Sequence, residues 1–188
     1  MRRGPRRTLV LLALICAAPV IASYIAYYWL RPGAHVNYGE LLGPIPAPDI
    51  SAVGVDGSPF RLSSLRGRWV LLMADGDVCD GRCERKLYAT RQARTMQGRE
   101  QERVVRVRLQ PTGAPLPSQE LMARHPGMTF ARGDPRQWEA LPPGHEAVAA
   151  SIYLIDPLGN VVLRYTADPD IKRLAKDLER LLRVSRIG

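Results

Sequence analysis

The feature that most constrains this chain is an uncharged, apolar run from Thr8 to Leu30. An α-helix of this length rises about 34 Å, and the hydrocarbon core of a bilayer is about 30 Å thick. Basic residues remain on the cytoplasmic side of a membrane, and the run is preceded by Arg2, Arg3, Arg6 and Arg7. The sequence therefore predicts a cytoplasmic tail at residues 1–7, a transmembrane helix at 8–30 and a periplasmic remainder, in a bacterial inner membrane.

A cleaved signal peptide is the alternative interpretation of the same run. Val20 and Ala22 resemble a cleavage pattern, but the apolar residues continue beyond them to Leu30. Aromatic rings settle at the headgroup level of a membrane, and four of them cluster at the outer end of the run, at Tyr24, Tyr27, Tyr28 and Trp29. We therefore favour an uncleaved anchor. Cys16, inside the run, is interpreted as a small buried hydrophobic residue.

The charge distribution argues against a nucleic-acid-binding protein. The net charge is +9, but the arginines that flank the apolar run account for five of the 27 basic residues. In the rest of the chain, the basic residues from Arg82 to Arg108 are interleaved with Glu84, Glu100 and Glu102. This pattern is typical of a solvated helix face, whereas nucleic-acid binding requires a concentrated basic surface.

The region after the anchor divides into a spacer and one domain. Residues 31–49 are rich in proline and glycine and show no periodicity, which predicts a spacer. The continuous apolar run Trp69–Ala74 predicts a strand buried on both faces. Residues 50–188 are predicted to form an α/β domain, a mixed sheet flanked by helices. Its other predicted elements are strands at 50–55, 104–109, 151–155 and 160–165, and helices at 80–97, 117–124, 134–140 and from Asp168 or Asp170 onward.

Cys79 and Cys83 follow the buried strand, where the next helix opens. Their spacing predicts two sulfurs on one helical face with Cα atoms about 6 Å apart, within disulfide range. A helix N-terminus favours the thiolate form. Such a pair either exchanges with disulfides or chelates a soft cation, notably Cu(I). Zinc fits less well because a closed site requires four ligands. A static disulfide is the remaining alternative, although closing so short a loop stabilises a fold little.

The domain resembles the Sco/SenC family, which are membrane-tethered copper proteins of the thioredoxin fold. The matching motifs are the anchor, Asp56-Gly57, Ser64-Leu65-Arg66-Gly67-Arg68-Trp69, the Cys79/Cys83 pair, and Tyr153-Leu154-Ile155-Asp156-Pro157 with Gly159. The whole chain is most similar to the short transmembrane Sco-like proteins encoded beside proteobacterial haem–copper oxidase genes. The resemblance implies a thioredoxin-like fold and a role in assembling the copper site of cytochrome c oxidase, with oxidase subunits or assembly factors as partners.

Two positions depart from the family pattern. Sco proteins carry a copper-binding histidine five residues before the tyrosine of the matching strand, and here Val148 stands there. The proline between the two family cysteines is also missing, because Asp80-Gly81-Arg82 fills that gap.

We therefore predict a Cu(I) site formed by Cys79, Cys83 and His145. The binding is expected to be weaker than in a Sco protein, or to depend on His145. A solvated loop histidine is the alternative for His145. Asp75 and Asp77 flank the cysteines, where they either tune the thiol pKa or simply belong to the loop. For the whole chain, a general periplasmic thiol–disulfide oxidoreductase and a non-catalytic assembly scaffold remain alternatives.

Overall fold

The computed structural model of the protein describes residues 5–29, 37–143 and 147–185, which fall into two compact units. The first unit contains a single helix, α1 (Pro5–Trp29). Within it, Leu9–Ala26 has a mean hydropathy of 2.5 and is 0% buried. By length and composition, α1 is therefore a candidate membrane span, as the sequence predicts.

The second unit begins at residue 37 and contains one eight-stranded sheet with four α-helices. The strands are β1 (Glu40–Pro46), β2 (Ser51–Gly54), β3 (Pro59–Arg61), β4 (Trp69–Ala74), β5 (Val104–Pro111), β6 (Met128–Gly133), β7 (Ser151–Ile155) and β8 (Asn160–Thr166). The helices are α2 (Gly81–Thr95), α3 (Gln119–Arg124), α4 (Pro135–Glu139) and α5 (Ile171–Val184). Short 3-10 turns occupy Leu62–Leu65, Gly98–Arg103 and Val148–Ala150.

The strand order is β1-β8-β7-β4-β5-β6-β2-β3. The central strands β4, β5 and β6 are parallel, whereas β7, β8 and β1 continue the sheet antiparallel on one side and β2 and β3 on the other. This mixed sheet with flanking helices confirms the predicted α/β, thioredoxin-like fold.

Strand β4 forms the centre of two hydrophobic clusters, one on each face of the sheet. Trp69, Leu71 and Met73 pack in the cluster that includes residues of α2 and α5. Val70, Leu72 and Ala74 alternate with them and pack in the opposite cluster, with Trp138 and Leu141. All six residues are buried, as a continuous apolar run in a central strand predicts.

Helix α5 buries an apolar face, with Leu174, Leu178 and Leu182 all in the cluster that contains Cys83. It carries a buried acid as well, Asp177. The Asp177 carboxylate accepts hydrogen bonds from the backbone N–H groups of Tyr38 and Gly39 at 2.9 Å, and from the Tyr165 hydroxyl at 3.3 Å. We call this arrangement the Asp177 clasp. It fixes the first described residues of the second unit to α5.

The spacer prediction is wrong for residues 40–46, which form β1 and pair with β8. Proline is tolerated on an edge strand, where one side of the backbone needs no ladder partner. Gly43 takes a φ of +80°, and the pairing register shifts between Leu41 and Ile45, so the glycine accommodates an irregularity. The sequence analysis also missed the short strand β6. The compact domain is therefore longer than predicted and starts before residue 50.

Candidate functional site: the cysteine corner

Cys79 and Cys83 form a disulfide, with Cα atoms 5.1 Å apart. The bond lies where the loop that follows β4 enters α2. The Asp80 carboxylate caps this helix by accepting a hydrogen bond from the Cys83 N–H at 2.9 Å. Cys83 is 1% exposed, whereas Cys79 is only partly buried. One sulfur of the pair is therefore accessible and the other is enclosed.

The structure corrects one detail of the predicted geometry. The spacing predicts both cysteines on one helical face, but α2 begins at Gly81, after the capping residue. Asp80 has extended backbone dihedrals, with φ at −82° and ψ at −179°. Cys79 therefore belongs to the loop and only Cys83 to the helix, and the loop brings Cys79 close enough to bond.

A buried ion cluster lies beside the pair. The Lys86 ammonium is 2.5 Å from Asp75 Oδ1, and Arg108 Nε is 3.2 Å from Asp75 Oδ2. The side chains of Lys86 and Arg108 are 0% and 1% exposed. Lys86 Nζ also donates to the carbonyl oxygen of Ala149 at 2.5 Å. Two buried cations thus share one carboxylate, which leaves a net positive charge one helical turn beyond Cys83.

Burial dominates the titration of both cations. It lowers the pKa of Lys86, and the nearby Asp75 carboxylate opposes this shift. Burial also lowers the pKa of Arg108, again opposed by Asp75. Asp75 therefore does not act as a free acid beside the thiols, because it is the counter-ion of this cluster. Asp77, the other predicted tuning residue, has an exposed side chain, and its carbonyl oxygen accepts a hydrogen bond from Gln110 Nε2 at 3.1 Å.

The solvated basic face predicted between Arg82 and Arg108 is wrong for three of its members, since Lys86, Arg106 and Arg108 are all buried. Burial lowers the pKa of Arg106 to about 10. His125, which the sequence gave no role, is also buried. Its pKa is lowered to about 4, first by burial and then by the neighbouring arginines, which are Arg91, Arg106 and Arg124. The sequence did contain a signal for the two buried arginines. Arg106 and Arg108 lie in the central strand β5, where a charged side chain cannot face water.

A cavity of about 270 Å³ opens beside Cys79. Its polar lining includes Arg108 and Gln110 from β5, and its apolar lining includes Val78, Leu116 and Leu121. Arg108 Nη2 and Gln110 Oε1 are buried and have no hydrogen-bond partner. Cys83 does not line this cavity. The accessible sulfur of the pair therefore adjoins a preformed recess.

A family model described as a transmembrane-like, thioredoxin-like C-terminal domain matches residues 69–185. The chain belongs to this family. The match covers the cysteine corner and most of the sheet, from β4 to α5. No curated protein sequence matches the chain.

Solved structures show the same fold. Apo Sco1 from Thermus thermophilus is 25% identical, with a TM-score of 0.63, and the match covers 79% of this chain and 99% of that one. ScoI from Bradyrhizobium japonicum, solved with copper bound, is 19% identical with a TM-score of 0.55, covering 72% of this chain and 98% of that one. BsSco, described as a member of the Sco family of cytochrome c oxidase assembly proteins with a disulfide switch, is 16% identical with a TM-score of 0.58, covering 78% and 98%. The predicted likeness to Sco/SenC proteins is thereby confirmed.

The cysteine corner holds two sulfur atoms, and sulfur is a soft donor of the kind that Cu(I) prefers. Among residues 5–29, 37–143 and 147–185, no group of three or more His, Cys, Asp and Glu side chains could hold a metal ion. His145, the predicted third ligand, lies outside the described residues. Val148 packs against the cluster on the opposite face of the sheet from the cysteines. Two thiolates, obtained by reducing the disulfide, suit Cu(I) by their softness.

Proposed function

We propose that this chain is a membrane-tethered thiol–copper protein that assists assembly of the copper site of cytochrome c oxidase through Cys79 and Cys83. One observation carries the proposal: the two cysteines are bonded at a helix N-terminus, with one sulfur accessible beside a cavity and the other enclosed. A structural disulfide needs no such asymmetry. The Sco neighbours, described as oxidase assembly proteins and copper proteins, support the choice of client.

The exchange chemistry follows from the accessibility of the two sulfurs. In the reduced chain, the Cys79 thiolate attacks a client disulfide, forms a mixed disulfide and releases one client thiolate. The Cys83 thiolate then attacks the Cys79 sulfur and releases the second client thiolate. The client disulfide gains two electrons and the chain loses two. The helix N-terminus and the net positive ion cluster of Lys86, Asp75 and Arg108 favour the thiolates that this sequence requires.

Copper is the cargo in this proposal. The reduced pair offers Cu(I) two thiolates, and a third ligand would tighten the site. His145 is the proposed third ligand. Ala149, a few residues after it, contacts Lys86 of α2 through its carbonyl oxygen, so the chain there passes close to the helix that carries Cys83. We expect one Cu(I) per reduced chain and weaker retention than a site with three fixed ligands.

The proposed location is the bacterial inner membrane, with residues 1–7 in the cytoplasm and the domain in the periplasm. The arginines that precede the apolar run, and the apolar composition of that run, support this orientation. Alkaline phosphatase fused after Gly188 should be active, because that enzyme folds only outside the cytoplasm. Activity of a cytoplasm-only reporter at the same position would contradict the orientation.

The deciding experiment traps the client. We would use the full chain in the membrane, with Cys16→Ser to remove the third cysteine. In this background, Cys83→Ser should accumulate mixed disulfides at Cys79, because the resolving thiol is missing. Cys79→Ser is the matched control and should trap little, because Cys83 is buried. Mass spectrometry of the trapped partners should identify the copper-binding oxidase subunit or its assembly factors.

The other outcomes separate the alternatives. Trapping of many unrelated periplasmic proteins would indicate a general thiol–disulfide oxidoreductase. The absence of any mixed disulfide, together with thiols that stay free under mild oxidation, would indicate a non-catalytic scaffold. Competition between the reduced full chain and a colorimetric Cu(I) chelator tests the cargo. Loss of binding in Cys79→Ser is expected, and an additional loss in His145→Ala would identify the third ligand.

A further inference from the structure

Two residues that line the cavity beside Cys79, Arg108 and Gln110, each carry one buried polar atom without a hydrogen-bond partner. Arg108 is 1% exposed, and its Nε is held by Asp75, but Nη2 has no partner. Gln110 is 2% exposed, and its Nε2 is held by the carbonyl oxygen of Asp77, but Oε1 has no partner. A buried donor or acceptor without a partner costs the fold free energy. One unsatisfied donor and one unsatisfied acceptor thus belong to side chains that line the same recess.

The charges around the recess balance. Arg108 and Arg124 line it together with Asp77 and Glu84, and Arg124 is paired with Glu84 at 3.4 Å. A ligand without net charge fits such a lining better than an anion. Exposed apolar side chains complete the wall, since Val78 is 71% and Leu116 is 54% exposed. The recess is thus neutral, apolar at its rim and equipped with one donor and one acceptor.

A peptide group has the matching chemistry, because each residue offers one C=O acceptor and one N–H donor. We propose that this cavity binds the main chain of the client next to its reacting cysteine, with Arg108 Nη2 donating to a client carbonyl and Gln110 Oε1 accepting from a client N–H. An apolar client residue beside that cysteine packs against Val78 and Leu116. The inference rests on the proposed thiol exchange at Cys79, and it adds the class of substrate: an extended, uncharged peptide with an apolar neighbour to its cysteine.

The test compares the rates at which the reduced full chain, in neutral detergent and with Cys16→Ser, reduces a set of disulfides. The probes are the disulfide of N-acetyl-Leu-Cys-Leu-amide, its glycine-flanked counterpart, hydroxyethyl disulfide, which has no peptide group, and glutathione disulfide, which is anionic. The rate with the leucine peptide divided by the rate with hydroxyethyl disulfide is the preference ratio. We expect a ratio of at least tenfold, with the glycine peptide between the two.

Two variants should reduce the preference ratio. Gln110→Met removes the acceptor with little change in volume, and should lower the ratio about tenfold. Leu116→Ser changes an exposed side chain, so it carries little risk to folding, and should lower the ratio about threefold for the leucine peptide only. Leu158→Ser is the matched control, because Leu158 is 65% exposed and does not line the cavity. It should leave the ratio unchanged.

The outcomes distinguish this inference from the function on which it rests. If the chain reduces hydroxyethyl disulfide but shows no preference for peptides, the peptide site is wrong and the exchange function stands. If glutathione disulfide reacts faster than the leucine peptide, the recess selects for charge and the proposal is overturned. A reduced chain that reacts with none of the four disulfides overturns the exchange function and the peptide site together.

Discussion

The cysteine corner and the Asp177 clasp both bury a carboxylate, but they satisfy it in opposite ways. Asp177 accepts hydrogen bonds from two backbone N–H groups and one tyrosine hydroxyl, all neutral donors. Asp75 instead faces two buried cations, and Arg108 keeps an unpartnered nitrogen. Buried polar groups in folded proteins are normally paired. The hydrogen-bonded carboxylate of the Asp177 clasp is therefore what a purely structural role requires. The cysteine corner keeps an unpartnered nitrogen of Arg108, which stabilisation alone does not explain.

Asp75→Asn should give the largest effect, because it leaves Lys86 and Arg108 buried without a counter-ion. Breaking a buried ion cluster in this way costs about 3–5 kcal/mol. Denaturant unfolding of the full chain in detergent, followed by the fluorescence of its tryptophans, would measure the loss. Asp77→Asn is the control, since its side chain is exposed and should change the unfolding free energy by less than about 0.5 kcal/mol. Equal losses of unfolding free energy in Asp75→Asn and Asp77→Asn would contradict the role of Asp75 as the counter-ion of the cluster.

The stability of the domain should also depend on pH through His125. Burial and nearby arginines lower its pKa from 6.5 to about 4, so the folded chain keeps this group neutral where the unfolded chain protonates it. His125 therefore does not reduce the free energy of unfolding above pH 6.5. As the pH falls from 6.5 toward 4, protonation of the unfolded chain lowers that free energy. Between pH 7 and pH 5 the loss should be about 2 kcal/mol. A His125→Asn variant should lose less stability over this interval. If the unfolding free energy of the two chains falls equally between pH 7 and pH 5, His125 is not the group responsible.

Asp177→Asn should have a smaller effect than Asp75→Asn. The amide keeps one carbonyl oxygen that can accept, and the donors that it faces carry no charge, so the expected loss is about 1–2 kcal/mol. Hydrogen exchange would locate the effect, which should appear at the amides of Tyr38 and Gly39 before it appears in β4. An effect as large as that of Asp75→Asn would show that the two acids are energetically equivalent.

Lys86→Met should have the smallest effect on stability. It removes one of two cations, so Asp75 and Arg108 remain as a one-to-one pair, and an apolar chain of similar length fills the space. Replacing buried charge by apolar volume is often neutral. We expect a change of less than about 1 kcal/mol in the same unfolding experiment. Lys86 Nζ also donates to the carbonyl oxygen of Ala74 at 3.3 Å. A loss comparable to that of Asp75→Asn would mean that Lys86 contributes mainly through its hydrogen bonds to the carbonyl oxygens of Ala74 and Ala149.

Much of the fold could be predicted because its central elements carry strong local patterns. The apolar run of β4, the hairpin of β7 and β8, and the periodic leucines of α5 each specify one structure. Strand β1 could not be predicted in the same way, because its prolines and glycine are typical of a loop. They are tolerated only because β8 supplies a partner on one side, which is information from a distant part of the chain.

In the candidate site, too, features with a local sequence pattern could be predicted, and those that depend on distant contacts could not. The position of the cysteines after a buried strand was readable from the sequence, and so was the start of the next helix near Asp80. The burial of Lys86 was not, because Arg82 and Arg85 on the same helix are exposed and of the same residue class. Which cation turns inward depends on how α2 packs on the sheet. The second cation of the cluster, Arg108, comes from β5, which lies outside any local window around α2.

The Asp177 clasp has a mechanical consequence. In a tethered protein, any pull from the membrane reaches the domain through the residues that enter it, and Tyr38 and Gly39 are among the first described ones. Both are tied to the last helix of the chain by one carboxylate. The domain's two sequence ends are thus fastened to each other, so tension is borne by this joint before it loads the edge strand β1.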